Sequence, residues 1–401
     1  MRLFCTCCLV IVYSLLSLGY RLSPNRHRFH HYEKHSPLQH LKAIPSASLL
    51  SRELALESDI NALRASKIKS ILKQNNINTM GEFEKQGLAD ILIAHEKKHL
   101  NDAQITSVPL INITSFTSTD KSYIGVELRK AEQSDNDPMF FVVDTGATIN
   151  LIRPEVAAKL NAKTRALPGL TSALGGQGSI ATSIASIDDI CLGNRRFSTS
   201  SPCEFSVLSN SNMLPMEASG LLGLSFLNSI VNIDEVTELD FKTYNLRVGP
   251  RASILTPFSL SKLRGVTTYQ LPNGLLVAKC EVDEGGAVAM IDLGSSYTIA
   301  NTLAVEQVFK QKYNELPLSS QLLAGIDGRP IQMRCITMNN FRLGDYRLDA
   351  PLNIVAGDIP GLATVGLGTQ PALILGMDVL AKGGKMVLDL RKQEMFLSEN
   401  I

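Results

Sequence analysis

The sequence predicts an all-β body made of two homologous β-barrel lobes, preceded by a small α-helical hairpin module. Three observations carry that prediction. First, an apolar run, Phe140-Phe141-Val142-Val143, ends abruptly on Asp144-Thr145-Gly146-Ala147-Thr148, and 148 residues later Ala289-Met290-Ile291 ends on Asp292-Leu293-Gly294-Ser295-Ser296. Second, two more markers follow each copy in the same order. They are Leu174-Gly175-Gly176-Gln177-Gly178 then Leu222-Gly223-Leu224, and Ala324-Gly325-Ile326-Asp327-Gly328 then Leu375-Gly376-Met377-Asp378. Gly325 follows Gly176 by 149 residues and Gly376 follows Gly223 by 153, so the three offsets are nearly constant. That is an internal duplication, with a period far too long for a solenoid. Third, from about residue 111 the text breaks into short apolar segments divided by Gly, Asn, Asp and Pro, the pattern of successive strands.

Taken in order, residues 1–19 carry one Arg and then an apolar stretch that exits on Ser17-Leu18-Gly19. A charged start, an apolar middle and a small exit describe a cleaved signal peptide. The run is short for a membrane span, which ranks a retained anchor lower. Residues 20–56 form a basic linker, rich in Arg, His, Ser and Pro up to residue 51 and expected to be disordered. That composition also suits an organelle transit segment, so the address is the secretory pathway or outside the cell, with a plastid reached by signal plus transit segment as the alternative.

Residues 57–99 are different. Ile60, Leu63, Ile68, Ile71 and Leu72 fall at helical spacing, Asn75-Asn76 and Met80-Gly81 interrupt it, and Phe83, Leu88, Ile91 and Leu92 resume it. The segment Lys67-Ile68-Lys69-Ser70-Ile71-Leu72-Lys73, with Phe83 and Leu88 beyond, resembles the SAP-like helix-loop-helix module. Seven Lys/Arg stand against six Asp/Glu here, whereas a DNA footprint needs a clear basic excess. A protein-docking role is favoured over nucleic acid. Asn112-Ile113-Thr114 is a glycosylation sequon, meaningful for a chain in the secretory route. The lobes are expected to span residues 100–253 and 254–401.

Composition narrows the chemistry. With 44% apolar and 19% charged residues and a net charge of +1, the chain reads as an ordinary globular protein with no bias toward acidic partners. All seven histidines precede residue 100, so the duplicated region holds none. Ser-His and Cys-His nucleophilic catalysis and His-bearing metal sites are thereby removed from it. Four cysteines, Cys191, Cys203, Cys280 and Cys335, fall two to each half and contain no Cys-x-x-Cys. Zinc is disfavoured; one disulfide per half and buried free thiols both remain open.

The chemistry left is that of two carboxylates. One Asp on a tight turn is a common turn residue. Two in matched settings suggest a pair that meets across a two-fold axis. Mutual repulsion lets such a pair hold one proton between them. The anionic member then polarises a water and the neutral member protonates a substrate carbonyl, with no cofactor and no metal.

Asp144-Thr145-Gly146-Ala147 after an apolar run resembles the active-site motif of pepsin-type and retroviral-type aspartic proteases. Leu222-Gly223 and Leu375-Gly376 match that family's ψ-loop glycine, and Gly175, Gly176 and Gly178 sit where it has its flap. The resemblance spans roughly residues 111–400 and implies a bilobal, retropepsin-like aspartic endopeptidase. It implies Asp144 and Asp292 as the catalytic dyad, with Thr145, Gly146, Gly294 and Ser295 supporting the turns. The flap would close over a polypeptide substrate held extended, a mode in which backbone pairing supplies affinity. A monomer is expected, with no membrane span once the signal is removed. Two departures stand out. Leu293 occupies a position where the family has Thr or Ser, whose hydroxyls hold the carboxylates in register; small misplacement there can cost about a hundredfold in rate. No Tyr lies between residues 170 and 190, so the pepsin-type flap tyrosine is absent, as in retroviral-type flaps. Leu293 keeps a second reading open: a catalytically silent peptide-binding module. It also motivates the expectation that Leu293→Thr raises activity or stability. Asp378 reads as structural, and Ser295 as a group that bonds near the dyad or satisfies its own turn.

Overall fold

A computed structural model describes residues 49–399, apart from residues 80, 83, 101–103, 116–117, 132–137, 167–170, 174–180, 197–201, 211–213, 284, 326–329, 349 and 360. Of the first 48 residues it describes 5–7 and 10–14. The signal-peptide reading therefore falls largely outside the described residues, as do most of the basic linker and flap glycines Gly175, Gly176 and Gly178. These two stretches are extended. Cys5–Cys7 pairs with Thr171–Ala173, and Val10–Ser14 with Leu318–Gly325.

The chain is mostly β with few helices, as its patterning predicts. The strand Met139–Val143 is inserted between two partners. It runs antiparallel to Ser118–Lys130 and parallel to Gly220–Leu222, with Val143 opposite Leu222. Gly220–Leu222 in turn lies antiparallel to Leu151–Ile152, which runs parallel to Cys203–Leu208. The second half repeats each step. Gly285–Ile291 runs antiparallel to Leu276–Val282 and parallel to Ala372–Leu375, with Ile291 opposite Leu375. Ile299–Ala300 pairs antiparallel with Ala372–Leu375 and parallel with Leu352–Ala356. Strands enclosed on both edges and both faces must be apolar throughout. Phe141, Val142, Val143, Ala289, Met290 and Ile291 are fully buried.

A further sheet is shared by the two halves. Its order is Thr106–Pro109, Asn245–Pro250, Glu235–Asp240, Lys385–Asp389, Glu394–Ser398, Leu263–Gln270. The junction is the antiparallel pair Glu235–Asp240 with Lys385–Asp389, where Glu238 faces Val387. Glu238 is buried here between Arg247, at 3.0 Å, and Lys385, at 3.3 Å. Helices Arg251–Ile254 and Pro257–Lys262 carry the chain from one half to the other, so the expected boundary at 253/254 cuts through a helix.

The N-terminal module differs from the expected hairpin. It has three helices: α1 (Leu49–Ala62), α2 (Ala65–Gln74) and α3 (Lys85–Leu100). The first begins eight residues before the expected start at 57, inside the stretch read as linker. Its first turns are rich in leucine (Leu49, Leu50, Leu54 and Leu56), but Leu54 is exposed, and the helical spacing of the core-facing residues starts only at Ile60. Ile60, Ile68, Ile71, Leu72, Leu88 and Leu92 form its core, together with Phe258 of the connecting helix. Glu96, buried on α3, accepts from the Phe258 amide at 3.2 Å and pairs with the Thr256 hydroxyl, at the N-terminus of helix Pro257–Lys262. A carboxylate there satisfies amides that the helix itself cannot. Lys262 reaches Asp59 at 2.6 Å. The apolar face of the module is thus closed by the body of the protein. Among the described residues no helix is long and apolar enough to cross a membrane.

Candidate active site

Both aspartates stand where a buried strand stops. The Asp144 amide donates to Leu222 O at 2.9 Å, and the Asp292 amide to Leu375 O at 3.0 Å. These are the last rungs of the two parallel ladders. Each chain then turns sharply, and each turn is tied by its own carboxylate. Gly146 N donates to Asp144 Oδ1 and Gly294 N to Asp292 Oδ1, both at 2.8 Å.

The two turns face each other across the halves. A β-carbon placed on Gly146 would fall 2.4 Å from Asp292 Oδ1, and one on Gly294 would fall 2.4 Å from Asp144 Cγ. Only glycine permits so close an approach. The structure therefore brings Asp144, Asp292, Thr145, Gly146 and Gly294 into one cluster. Asp144 and Asp292 are both fully buried. The Asp144 carboxyl is held well above its ordinary value, first by burial, then by the charge of Asp292 and a hydrogen bond with it; the amides of Gly146 and Gly294 pull the other way. A pair in this setting retains one proton at a pH where an isolated carboxyl has lost it.

The Thr145 hydroxyl bridges the turns. Thr145 Oγ1 donates to Ile291 O at 2.9 Å and accepts from Leu293 N at 3.0 Å. Leu293 has no group to return either bond. It is fully buried in the main apolar core, so dispersion contacts stand where a second hydroxyl would. Ser295 Oγ donates to Tyr297 O at 2.7 Å, the self-satisfied turn that was one of its two readings.

Three residues escaped the sequence reading: Asn150, Ser225 and Thr298. Behind the first turn, Asn150 Oδ1 accepts from Gly223 N and from Ser225 Oγ, each at 3.1 Å. Behind the second, Thr298 Oγ1 accepts from Gly376 N at 3.2 Å and donates to Asp378 Oδ1 at 2.7 Å. Asn150 and Thr298 each lie six residues past their aspartate, and Ser225 and Asp378 each lie two past their glycine. The duplication offsets alone would have paired them. They clamp the strands that position the carboxylates, which gives Asp378 a structural task. Arg153, three residues past Asn150, donates to Leu214 O and Pro215 O at 2.9 and 2.7 Å and fixes the loop entering Gly220–Leu222. Cys191, Cys203, Cys280 and Cys335 are free thiols, which answers the disulfide question in favour of thiols. Among the described residues no group of three His, Cys, Asp or Glu is placed to hold a metal ion.

Comparison with known proteins agrees with this site in part. The sequence model of the aspartyl protease family matches residues 130–226, a segment that holds Asp144 and Gly223 and ends before Asp292. No curated protein matches the chain. Among solved structures, the chain is similar to basic 7S globulin from soybean, at 11% identity and a TM-score of 0.42, over 74% of this chain and 96% of that one. It is similar in the same degree to conglutin gamma, a basic 7S globulin from lupine seeds, at 13% identity and a TM-score of 0.42, over 74% and 95%. The first half therefore carries an aspartyl-protease-like segment by sequence, and the second half's aspartate stands on the geometry above.

Proposed function

We propose that the protein is an aspartic endopeptidase, bilobal and pepsin-like, with its site at the junction of two homologous retropepsin-like lobes. The observation that carries this reading is the reciprocal approach of each turn glycine to the opposite carboxylate. In the reaction, the ionised member of the Asp144/Asp292 pair takes a proton from a water lying between them. The resulting oxygen attacks the scissile carbonyl carbon while the protonated member gives its proton to the carbonyl oxygen. The tetrahedral intermediate collapses by breaking the C–N bond, and the amine leaves with a proton returned through the pair. No side chain bonds to the substrate, so neither histidine nor cofactor enters. The substrate is a polypeptide held extended beneath the flap at residues 174–178. A signal peptide would deliver the enzyme, as a monomer, to the secretory pathway or beyond, or to a plastid.

The test uses the full chain, because residues 49–100 cover Phe258. Casein hydrolysis is followed from pH 3 to 7 beside Asp144→Asn. The parent is expected to cleave in the acid range and the variant to lose at least about a thousandfold, the scale of loss when one member of an acid–base pair goes. Cleavage that survives in the variant, or none in the parent at any pH, removes the reading. One observation favours a second reading, a silent peptide-binding module: Leu293 leaves the two turns joined by the Thr145 hydroxyl without its counterpart. Peptide binding without turnover in the parent would select it.

A further inference from the structure

Two strands that hold equivalent places in the two halves have their edges covered by one stretch of the chain. Thr171–Ala173 and Leu318–Gly325 each lead into the glycine-rich marker of their half, and Gly176 and Gly325 lie 149 residues apart. Leu318–Gly325 has Pro330–Met338 along one edge and Val10–Ser14, antiparallel, along the other. Among the described residues Thr171–Ala173 pairs with Cys5–Cys7, in parallel. Residues 8 and 9 are all that separate the two pairings, so Cys7 and Val10 stand at most about 11 Å apart, three trans peptide steps. Their partners are Ala173 and Gly325, each the end of its strand nearest the marker.

The opposed directions have a geometric cause. Equivalent strands related by a two-fold axis face each other running oppositely, so one extended segment that meets both must run with one and against the other. Both strands also belong to the surroundings of the aspartates. Pro330–Met338, the neighbour of Leu318–Gly325, packs Ile331 and Met333 in one apolar cluster with Tyr297, five residues past Asp292. In the first half Ala181–Ile187, which follows the marker, pairs with Cys203–Leu208, whose Ser206 amide donates to Asn150 O at 2.9 Å. Residues 5–14 thus run from the Asp144 half to the Asp292 half, across the axis on which the carboxylates meet.

We propose that residues 5–14 occupy the strand edges that receive an extended peptide, so that the chain competes with its own substrate until they are removed. The inference rests on the endopeptidase reading for its substrate. Edge pairing uses main-chain groups, which any extended sequence presents, so the occupant excludes peptides without regard to their side chains. It is tethered and acts at a fixed effective concentration, and substrate in excess displaces it. A cut after residue 19, where export processing is expected, frees both edges.

The experiment uses the full chain and changes the backbone of one pairing. Ile11→Pro with Val12→Pro removes two successive amides, one of which must face Leu318–Gly325, because amides along a strand point alternately to its two edges. Ile11→Thr with Val12→Thr keeps both amides and β-branched side chains. One arm measures KM and kcat on an internally quenched decapeptide taken from a cleaved site in casein. The other measures, by anisotropy, binding of the same peptide, fluorescein-labelled, to the Asp144→Asn protein with each pair of changes. With residues 5–14 seated about nine-tenths of the time, the proline pair should lower KM and tighten binding by about tenfold at unchanged kcat, and the threonine pair should stay within about twofold of the parent. Unchanged KM and binding in the proline protein overturn the proposal, as does a fall in melting temperature and kcat with KM flat, which marks a strand that only supports the fold. Tighter binding in a proline protein whose parent never cleaves keeps this inference and discards the endopeptidase.

Discussion

Thr145→Val isolates a hydroxyl that joins the two halves at their aspartates. Valine keeps the shape and a buried methyl, so the burial of the side chain nearly cancels. What is lost is two hydrogen bonds, Thr145 Oγ1 to Ile291 O and Leu293 N to Thr145 Oγ1. Each net bond is worth about 1 kcal/mol, and a buried main-chain group left without a partner adds about 1–3 kcal/mol. Both abandoned groups belong to the strand end and turn of Asp292, and Leu293 cannot replace the hydroxyl. The expected loss is therefore about 2–4 kcal/mol, read as a lower urea midpoint at unchanged slope. Thr145→Ser, which keeps the oxygen, should lose about 1 kcal/mol or less. Leu293→Thr adds a hydroxyl opposite but removes apolar contacts from a closed core, at a cost of about 2 kcal/mol or more on the scale of large-to-small substitutions. The expectation of higher stability from that change is thus revised: the gain is expected in cleavage rate. A double-mutant cycle between the two positions should show coupling of about 1 kcal/mol or more. A Thr145→Val protein with the parent's urea midpoint and casein rate would refute the idea that this hydroxyl holds the turns in register.

Three further outcomes follow from the same structure. Burial works to raise the Glu238 carboxyl, but the charges of Lys385 and Arg247 and their hydrogen bonds outweigh it and hold the carboxyl below its ordinary 4.5. With the folded value depressed, the stabilisation is complete above about pH 4.5 and is lost as pH falls through the folded value. Glu238→Gln should flatten that acid limb in melting temperature against pH and cost about 3 kcal/mol at neutral pH by leaving Arg247 uncompensated. Burial pushes the Cys203 and Cys280 thiols up to about 12. Neither should react with iodoacetamide at pH 8 in the native protein, and both should react in urea, as mass spectrometry would show. Phe258→Ala removes the ring that closes the helical core. It should cost about 3 kcal/mol and speed hydrogen exchange in α1–α3 more than in the strands beside Asp144.

The site was legible in the sequence because duplication writes it twice. Asp144 and Asp292 share an apolar approach, a glycine two residues on and a second glycine later in each half, and Leu293 is visible only against Thr145. Asn150 and Thr298 were not legible one at a time. Each is an ordinary polar residue after a strand, of different chemical type in the two copies, and only the tertiary bond to Gly223 or Gly376 gives it meaning. The partner of Glu96 lies 160 residues away at Thr256, beyond any local pattern. α1 escaped for a thermodynamic reason. A short helix with few apolar contacts is marginal alone and draws its stability from packing, which periodicity does not report.

The sheet common to both halves also sets an order of events during synthesis. Glu235–Asp240 waits for Lys385–Asp389, which the ribosome delivers about 150 residues later, and pairing at such separation slows folding. Until those final strands emerge, the earlier ones present an unoccupied edge to the crowded cell. Nascent chains stalled before residue 385 are therefore the form in which this protein most needs a chaperone.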